Sequence, residues 1–163
     1  MKRIGLISDT HGYFDPKLKV FFSACDEIWH AGDIGNLETA DEISDFKPFI
    51  AVHGNIDDTR VRSAFPLHQR FMCEDVSVWI THIGGYPGSY NRSIRKEMEH
   101  FPPALFISGH SHILKIMRDK KLNLLHINPG SAGIQGFHRV RTAVRFTING
   151  HNIGNLEVWE LSR

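Results

Sequence analysis

The sequence predicts an α/β protein, α+β by strict element order, built as a four-layer α-β-β-α sandwich of two mixed β-sheets flanked by helices. Three observations lead there. Apolar runs alternate with helix-like segments through the first half, the pattern of parallel βαβ units. The last third carries strand signals only. Five of the apolar runs end in a polar residue able to bind a metal, so their C-terminal ends are expected on one rim.

Taken in order, Arg3–Ser8 is an isoleucine-rich strand. Asp15-Pro16 places a capping aspartate before a proline suited to a first helical turn, and Leu18, Phe21, Phe22 and Cys25 follow at helical spacing. Glu27–Ala31 and Phe49–Val52 read as strands, with a helix over Leu37–Phe46 that stops before Pro48. Asp57–Pro66 is polar, a loop or short helix. Arg70–Cys73 and Val76–Ile80 form an antiparallel pair joined by Glu74-Asp75. Gly84–Gly88, with three glycines in five residues, is a loop passing close to something. A helix is expected over Ser89–Phe101, with Ile94 and Met98 inward, and a strand over Leu105–Ser108. Leu114–Met117, Leu122–Ile127, Arg141–Ile148 and Asn155–Leu161 complete the β part, with turns at Lys120-Lys121 and Asn149-Gly150.

One domain over residues 1–163 is expected from the length and from the lack of repeats, linkers or low-complexity segments. A hydrophobic fraction of 41% with 23% charged residues is ordinary for a globular protein. The formal charge of +1 argues against a nucleic-acid polymer as partner, and no basic run favours a membrane surface. No apolar stretch approaches membrane-spanning length, and the N-terminal run is too short for a signal peptide. Cys25 and Cys73 form no motif, which fits a reduced, cytoplasmic setting. The sequence leaves the oligomeric state open, a homo-oligomer included.

The eleven histidines are the compositional anomaly. Asp9, His11, Asp33, Asn55, His82, His110 and His112 fall in five short clusters, each after a strand. Singly, each has a bland explanation: a capping or turn aspartate, a G-N turn, a strand-end histidine. Their joint placement is what argues for a site. Mixed carboxylate, amide and imidazole donors suit two divalent transition ions, with manganese the first expectation and iron, nickel or zinc the alternatives. Asp9 and His11, two apart on an extended segment, share a face. Asp33 has two oxygens and can bridge two ions. Asn55 offers a weak amide oxygen that leaves its metal more Lewis-acidic. Gly109 allows an irregular turn that aims His110 and His112 at different ions. Such a set points to metal-assisted hydrolysis, with small phosphate esters as the substrate class. His30 is expected to be hydrogen-bonded in the core, and His53 to be structural.

Asp9-Thr10-His11, Gly32-Asp33, Gly54-Asn55-Ile56-Asp57, His82 and Gly109-His110-Ser111-His112, in this order, resemble the motif blocks of the calcineurin-like metallophosphoesterases. Asn128-Pro129-Gly130-Ser131 resembles the following block of the small single-domain phosphodiesterase branch, so the resemblance runs from about Ile4 to Ser131. It implies one metal held by Asp9, His11, Asp33 and His112, and a second held by Asp33, Asn55, His82 and His110. It further implies a shared hydroxide as the nucleophile for in-line attack on phosphorus, with Asp33, Asn55 and His82 as the catalytic residues. Larger members carry a histidine after the asparagine to protonate the leaving group. Here that position is Ile56, as is common in the small branch, so a phosphodiesterase is expected, with a phosphomonoesterase as alternative. Ile83 after His82 is a second departure.

The family also contains a sorting-complex subunit with this fold and no useful catalysis, which makes a non-catalytic scaffold the rival. That subunit departs from the family at ligand positions, whereas all seven here carry competent donors. Pocket walls are expected from Arg60–Phe65, Gly84–Arg92 and Gly133–Arg139, with Arg60, Arg92, His138 and Arg139 as candidates to grip a phosphate oxygen. No side-chain acid is expected; were the rate insensitive to leaving-group pKa, His138, then His53, would be the candidates to supply the proton.

Overall fold

The computed structural model describes residues 1–163. Its first sheet runs β12 (Asn152–Ser162), β11 (Val140–Asn149), β1 (Lys2–Ile7), β2 (Glu27–His30), β3 (Phe49–Ala51). The second runs β4 (His68–Cys73), β5 (Val76–Thr81), β8 (Leu105–Ile107), β10 (Leu124–Pro129), β9 (Leu114–Asp119). Strands β1, β2 and β3 are mutually parallel, as are β5, β8 and β10, while the remaining pairings are antiparallel. Both sheets are therefore mixed. The parallel strands are the ones that precede the candidate ligands.

Alternation of side chains along these strands builds the layers. Ile4, Leu6 and Trp29 of the first sheet meet Val78, Ile80, Leu105 and Ile107 of the second in the inter-sheet core. Each such fully buried aliphatic contributes about 1.5–3 kcal/mol relative to exposure. On the outer face of the first sheet, Ile7 and Ile28 pack with Leu18 of α1 (Pro16–Phe21) and Ile43 of α2 (Leu37–Phe46). On the outer face of the second, Trp79 and Phe106 receive Ile94 and Met98 of α4 (Arg92–His100). The short α3 (Thr59–Ala64) inserts Val61 against Ile34, Ala40 and Ala51. The α-β-β-α order predicted from the sequence is the observed one.

Several boundaries differ from the sequence reading. α1 ends at Phe21, because Phe22 departs from helical geometry while its N–H still bonds back to Leu18. Phe22 and Cys25 nonetheless face the same core, which is why their spacing looked helical. α4 begins at Arg92 rather than Ser89. Asn91 caps it by accepting from the Ser93 N–H, and Ser89–Tyr90 instead forms β7, paired in a small ribbon with β6 (Gly85–Tyr86). The glycine-rich segment is thus a hairpin rather than open loop. β10 starts at Leu124 because the Asp119 carboxylate accepts from the Lys121 and Leu122 N–H groups and closes the preceding turn.

Candidate metal centre

The segments after β1, β2, β3, β5 and β8 converge on one rim. Left-handed backbone aims their side chains: Asp9 (φ 55°), His11 (φ 48°), Asp33 (φ 56°), His110 (φ 72°) and His112 (φ 61°) all lie where non-glycine residues are uncommon. Asp9 and His11 therefore do not share a face of an extended segment, as their spacing suggested, whereas His110 and His112 diverge into different groups, as expected after Gly109. Each such residue costs about 1–3 kcal/mol and persists because its surroundings over-determine it. The Asp9 N–H bonds to the Gly32 carbonyl and the His11 N–H to the Asp33 carbonyl, both at 3.0 Å, which pins one loop on the next. The Gly109 N–H bonds to the His82 carbonyl at 2.9 Å and does the same for the second sheet.

Two groups of potential ligands result. Asp9, His11 and His112 form one, Asp33, His82 and His110 the other, with the ligand atoms of each group within 4.8 Å of one another. Asp33 reaches both: its Oδ2 lies 3.5 Å from His11 Nε2 and 3.2 Å from His82 Nε2. His112 Nε2 is 3.1 Å from Asp9 Oδ1. Ligand atoms around one ion with bonds of roughly 2.0–2.2 Å stand at about such separations. Asn55 is exposed and its side chain makes no hydrogen bond, but the neighbouring Ile56 N–H donates to Asp33 Oδ1 at 3.0 Å, holding this loop against Asp33. Gly54 allows that approach. A Cβ there would come within 2.8 Å of Asp33 Cγ and closer still to its Oδ1 and backbone nitrogen.

Hydrogen bonds at the far side of Asp9 and His82 leave one atom of each free toward the centre. Asp9 Oδ2 accepts from Ser8 Oγ at 2.5 Å and from the His110 N–H at 3.2 Å, while Oδ1 has no partner. His82 Nδ1 donates to the Ala31 carbonyl at 2.7 Å, which puts the lone pair on Nε2. Five buried side-chain atoms in the whole protein lack a partner, and three of them, Asp9 Oδ1, His11 Nε2 and His82 Nε2, meet here. Buried orphans of this kind are rare and call for a bound group. A divalent cation accepted by carboxylate and imidazole lone pairs fits them.

The electrostatics agree. Burial opposes the charge on Asp9, yet His11, His112 and His82 together hold its carboxyl far below the usual range. Burial likewise opposes charge on Asp33, and His82 more than offsets it. In return the Asp9 carboxylate raises His11 above the ordinary 6.5, and Asp33 and Asp9 raise His82 despite its burial. A place that draws protons onto imidazoles favours positive charge, and metal ions compete for the same lone pairs.

Supporting residues surround the ligands. The Asp57 carboxylate, buried, accepts from the Ile34, Gly35 and Gly54 N–H groups at 2.8–3.2 Å and ties the Asp33 loop to the Asn55 loop. The G-N-x-D spacing was its only sequence signal. His30, fully buried, accepts from the Gly32 N–H on Nδ1, so its Nε2 donates to Thr10 Oγ1 at 2.9 Å, and Thr10 donates on to the Ile34 carbonyl. Burial keeps His30 well below the ordinary histidine range. His53 Nδ1 bonds the Phe65 carbonyl at 2.8 Å. His138 Nε2 bonds the Gly133 carbonyl at 2.8 Å, so its Nδ1 is an acceptor, 3.1 Å from His112 Nδ1. Both nitrogens of His138 are thus engaged, which counts against it as a fallback leaving-group acid. Arg60 faces Glu38 at 3.5 Å, and Arg62 folds back onto the Asp57 and Asn55 carbonyls. Arg60–Phe65 lines neither cavity beside His110, whereas Gly84–Arg92 and the 136–138 loop do.

The sequence model of the calcineurin-like phosphoesterase superfamily domain matches residues 1–151. A Methanocaldococcus jannaschii protein named as a probable metallophosphoesterase is 33% identical over 134 residues, covering 78% of this chain and 67% of its own. In fold, the chain is similar to Vps29 of Chaetomium thermophilum, with a TM-score of 0.78, 17% identity, and coverage of 99% of this chain and 97% of that one. It is also similar to an archaeal protein described as a novel phosphodiesterase, with a TM-score of 0.71, 20% identity and 99% of both chains covered. A match running over nearly the whole chain, and taking in every strand end that carries a candidate ligand, makes this protein a member of the calcineurin-like phosphoesterase superfamily.

Proposed function

We propose that the chain is a single-domain, binuclear-metal-dependent phosphodiesterase acting on a small phosphate ester. The observation that carries this reading is the meeting of two three-ligand groups at Asp33, with buried lone pairs of Asp9, His11 and His82 turned toward their centre. Asp9, His11 and His112 would hold one ion and Asn55, His82 and His110 the other, with Asp33 between them. Two divalent ions held there would supply an activated water for attack on phosphorus and would offset charge developing on the phosphoryl oxygens. Manganese is the first expectation, with iron, nickel or zinc as alternatives.

The chain's own part is to fix these donors before substrate arrives. Ser8 and the His110 N–H orient Asp9, the Ile56 N–H orients Asp33, and the Ala31 carbonyl sets the tautomer of His82. Ile56, about half exposed, stands where a proton donor would be useful and has none to give. That favours esters whose leaving oxygen departs without a proton. Both cysteines are free thiols, which suits the cytoplasm, and no helix is long and apolar enough to cross a membrane.

The likeness in fold to Vps29 favours a second reading, a non-catalytic scaffold. Hydrolysis of bis-(4-nitrophenyl) phosphate by the manganese-loaded protein separates the two. Turnover is expected, with Asp33→Asn lower by about 10²-fold or more, because misplacing reacting groups costs that much. Metal-loaded protein inert toward every phosphoester, or Asp33→Asn with undiminished turnover, would sink the proposal.

A further inference from the structure

We propose that the substrate is a phosphodiester with two unlike arms, one anionic and one apolar, seated in two grooves that meet at His110-Ser111. This inference rests on the phosphodiesterase reading and adds the chemistry of the substituents.

The first groove, about 470 Å³, runs from His110 to Tyr86, Arg92 and Arg95. No aspartate or glutamate lines it. Arg95 donates to the Tyr90 carbonyl at 3.0 Å, whereas Arg92 makes no hydrogen bond or ion pair. Lys115 does not line the groove, but its Nζ stands 3.8 Å from the centre of the Tyr86 ring, which does. A lone unpaired surface arginine would mean little. Two arginines on a groove without carboxylates, with a lysine stacked on its Tyr86 and a candidate metal ligand at one end, concentrate anions at that spot. Arginine also pairs with carboxylate or phosphate through two parallel hydrogen bonds, which fixes direction as well as charge.

The second groove, about 640 Å³, lies on the other side of the same two residues, between Ile113 and the loop carrying Phe137. No lysine, arginine, aspartate or glutamate lines it. Ile113 is 63% exposed and Phe137 fully exposed, while the nearby His138 has both ring nitrogens bonded within the protein. Little is left on this wall except apolar surface, and an aryl or alkyl arm laid on it would remove that surface from water. Tetrahedral phosphorus sends its two ester oxygens in different directions. A phosphoryl group at the metal ligands therefore has a groove for each substituent, and a monoester would leave one of them unused.

The test uses full-length, manganese-loaded protein and two diesters with one leaving group: 4-nitrophenyl 2-carboxyethyl phosphate and 4-nitrophenyl propyl phosphate. kcat/KM is expected to favour the carboxylate by about 3-fold or more at low salt, the range of an exposed ion pair. Arg92→Ala should reduce that ratio markedly, since Arg92 is the arginine with no partner, and added salt should shrink it. Phe137→Ser should raise KM for bis-(4-nitrophenyl) phosphate by about 5-fold, from lost apolar contact, with the loss falling on KM rather than kcat. Both positions are exposed, and unchanged melting temperatures would confirm that the variants fold. Turnover without preference for the carboxylate, a preference indifferent to Arg92→Ala, or a KM indifferent to Phe137→Ser would overturn the two-groove inference alone. No turnover of any diester by metal-loaded protein would overturn it together with the phosphodiesterase reading.

Discussion

Gly54→Ala puts a single methyl group where the centre has no room. The new Cβ would stand 2.8 Å from Asp33 Cγ, and ordinary contact begins near 3.4 Å, so Cγ must retreat by about 0.6 Å and Oδ1, closer still, by more. Backbone at Asp33 is closer still and cannot swing aside as a side-chain end would. The retreat pulls Oδ1 from the Ile56 N–H, now at 3.0 Å, and carries Oδ2 away from the imidazoles of both ligand groups. Overpacking of this kind costs about 1–3 kcal/mol. For a protein of this size that is a fall in Tm of about 2–12 °C. Metal ligands tolerate displacements of about 0.2 Å, so the shift exceeds the tolerance and should weaken Mn²⁺ binding by about tenfold or more. Calorimetric titration of metal-free protein with Mn²⁺, with melting curves before and after, reads both effects. Gly154→Ala is the control, since its nearest side-chain atoms lie at 3.8 and 4.0 Å and a methyl fits there. If Gly54→Ala matched that control in both melting and affinity, Asp33 could not be the crowded, shared ligand argued above.

Stability of the metal-free protein should peak near pH 6.5. Burial lowers His30 and His126, the latter to about 4, so the unfolded chain binds their protons first and stability falls as pH drops below the ordinary 6.5. His11 and His82 are raised, so their contribution is complete below 6.5 and is lost as pH climbs through their folded values. Asp9 and Asp33 are depressed, and their share disappears only as pH falls below the ordinary carboxylate value of 3.8. Urea melts between pH 4 and 9 would expose a monotonic profile if this assignment is wrong. His138→Ala removes the acceptor facing His112 Nδ1 and should cost about 10–100-fold in Mn²⁺ affinity, with the nitrogen NMR shifts of metal-free His112 reporting a mixed tautomer; an unmoved spectrum would show that the contact sets nothing. With Ile56 in place of an acid, log kcat/KM should fall steeply with leaving-group pKa, since general acid help is typically worth about 10²–10⁴-fold. A flat plot, with chemistry shown to limit the rate, would mean that another residue supplies the proton.

The strand ends that carry the candidate ligands were legible because the chain repeats one device. A short apolar run, buried on both faces, stops at a polar residue, and parallel strands bring all such stops to one rim. Leu105–Ile107 before Gly109 and Ile28–His30 before Gly32 are the clearest cases. Local backbone was not legible. Nothing in Asp9-Thr10-His11 announces two left-handed residues, since that conformation is imposed by bonds to Gly32 and Asp33, more than twenty positions away. Asp57 was hidden for a similar reason, as two of its three backbone partners come from the loop after β2. Ser89–Tyr90 carried no strand signal strong enough to compete with the helical pattern that follows. Their pairing depends on Gly85, where any Cβ would meet the Ser89 carbonyl, a close approach that a sequence window does not reveal.

Asp33 is proposed to be shared by two ions. Diffraction from a crystal of the protein soaked in Mn²⁺, with anomalous differences measured at the manganese edge, tests it most directly. Two peaks of comparable height are predicted, roughly 3.5–4 Å apart, the spacing of two-metal hydrolases. Asp33 should lie against both, with His11 and His112 on one side and His82 and His110 on the other. A single peak, or two peaks of which only one contacts Asp33, would contradict the account.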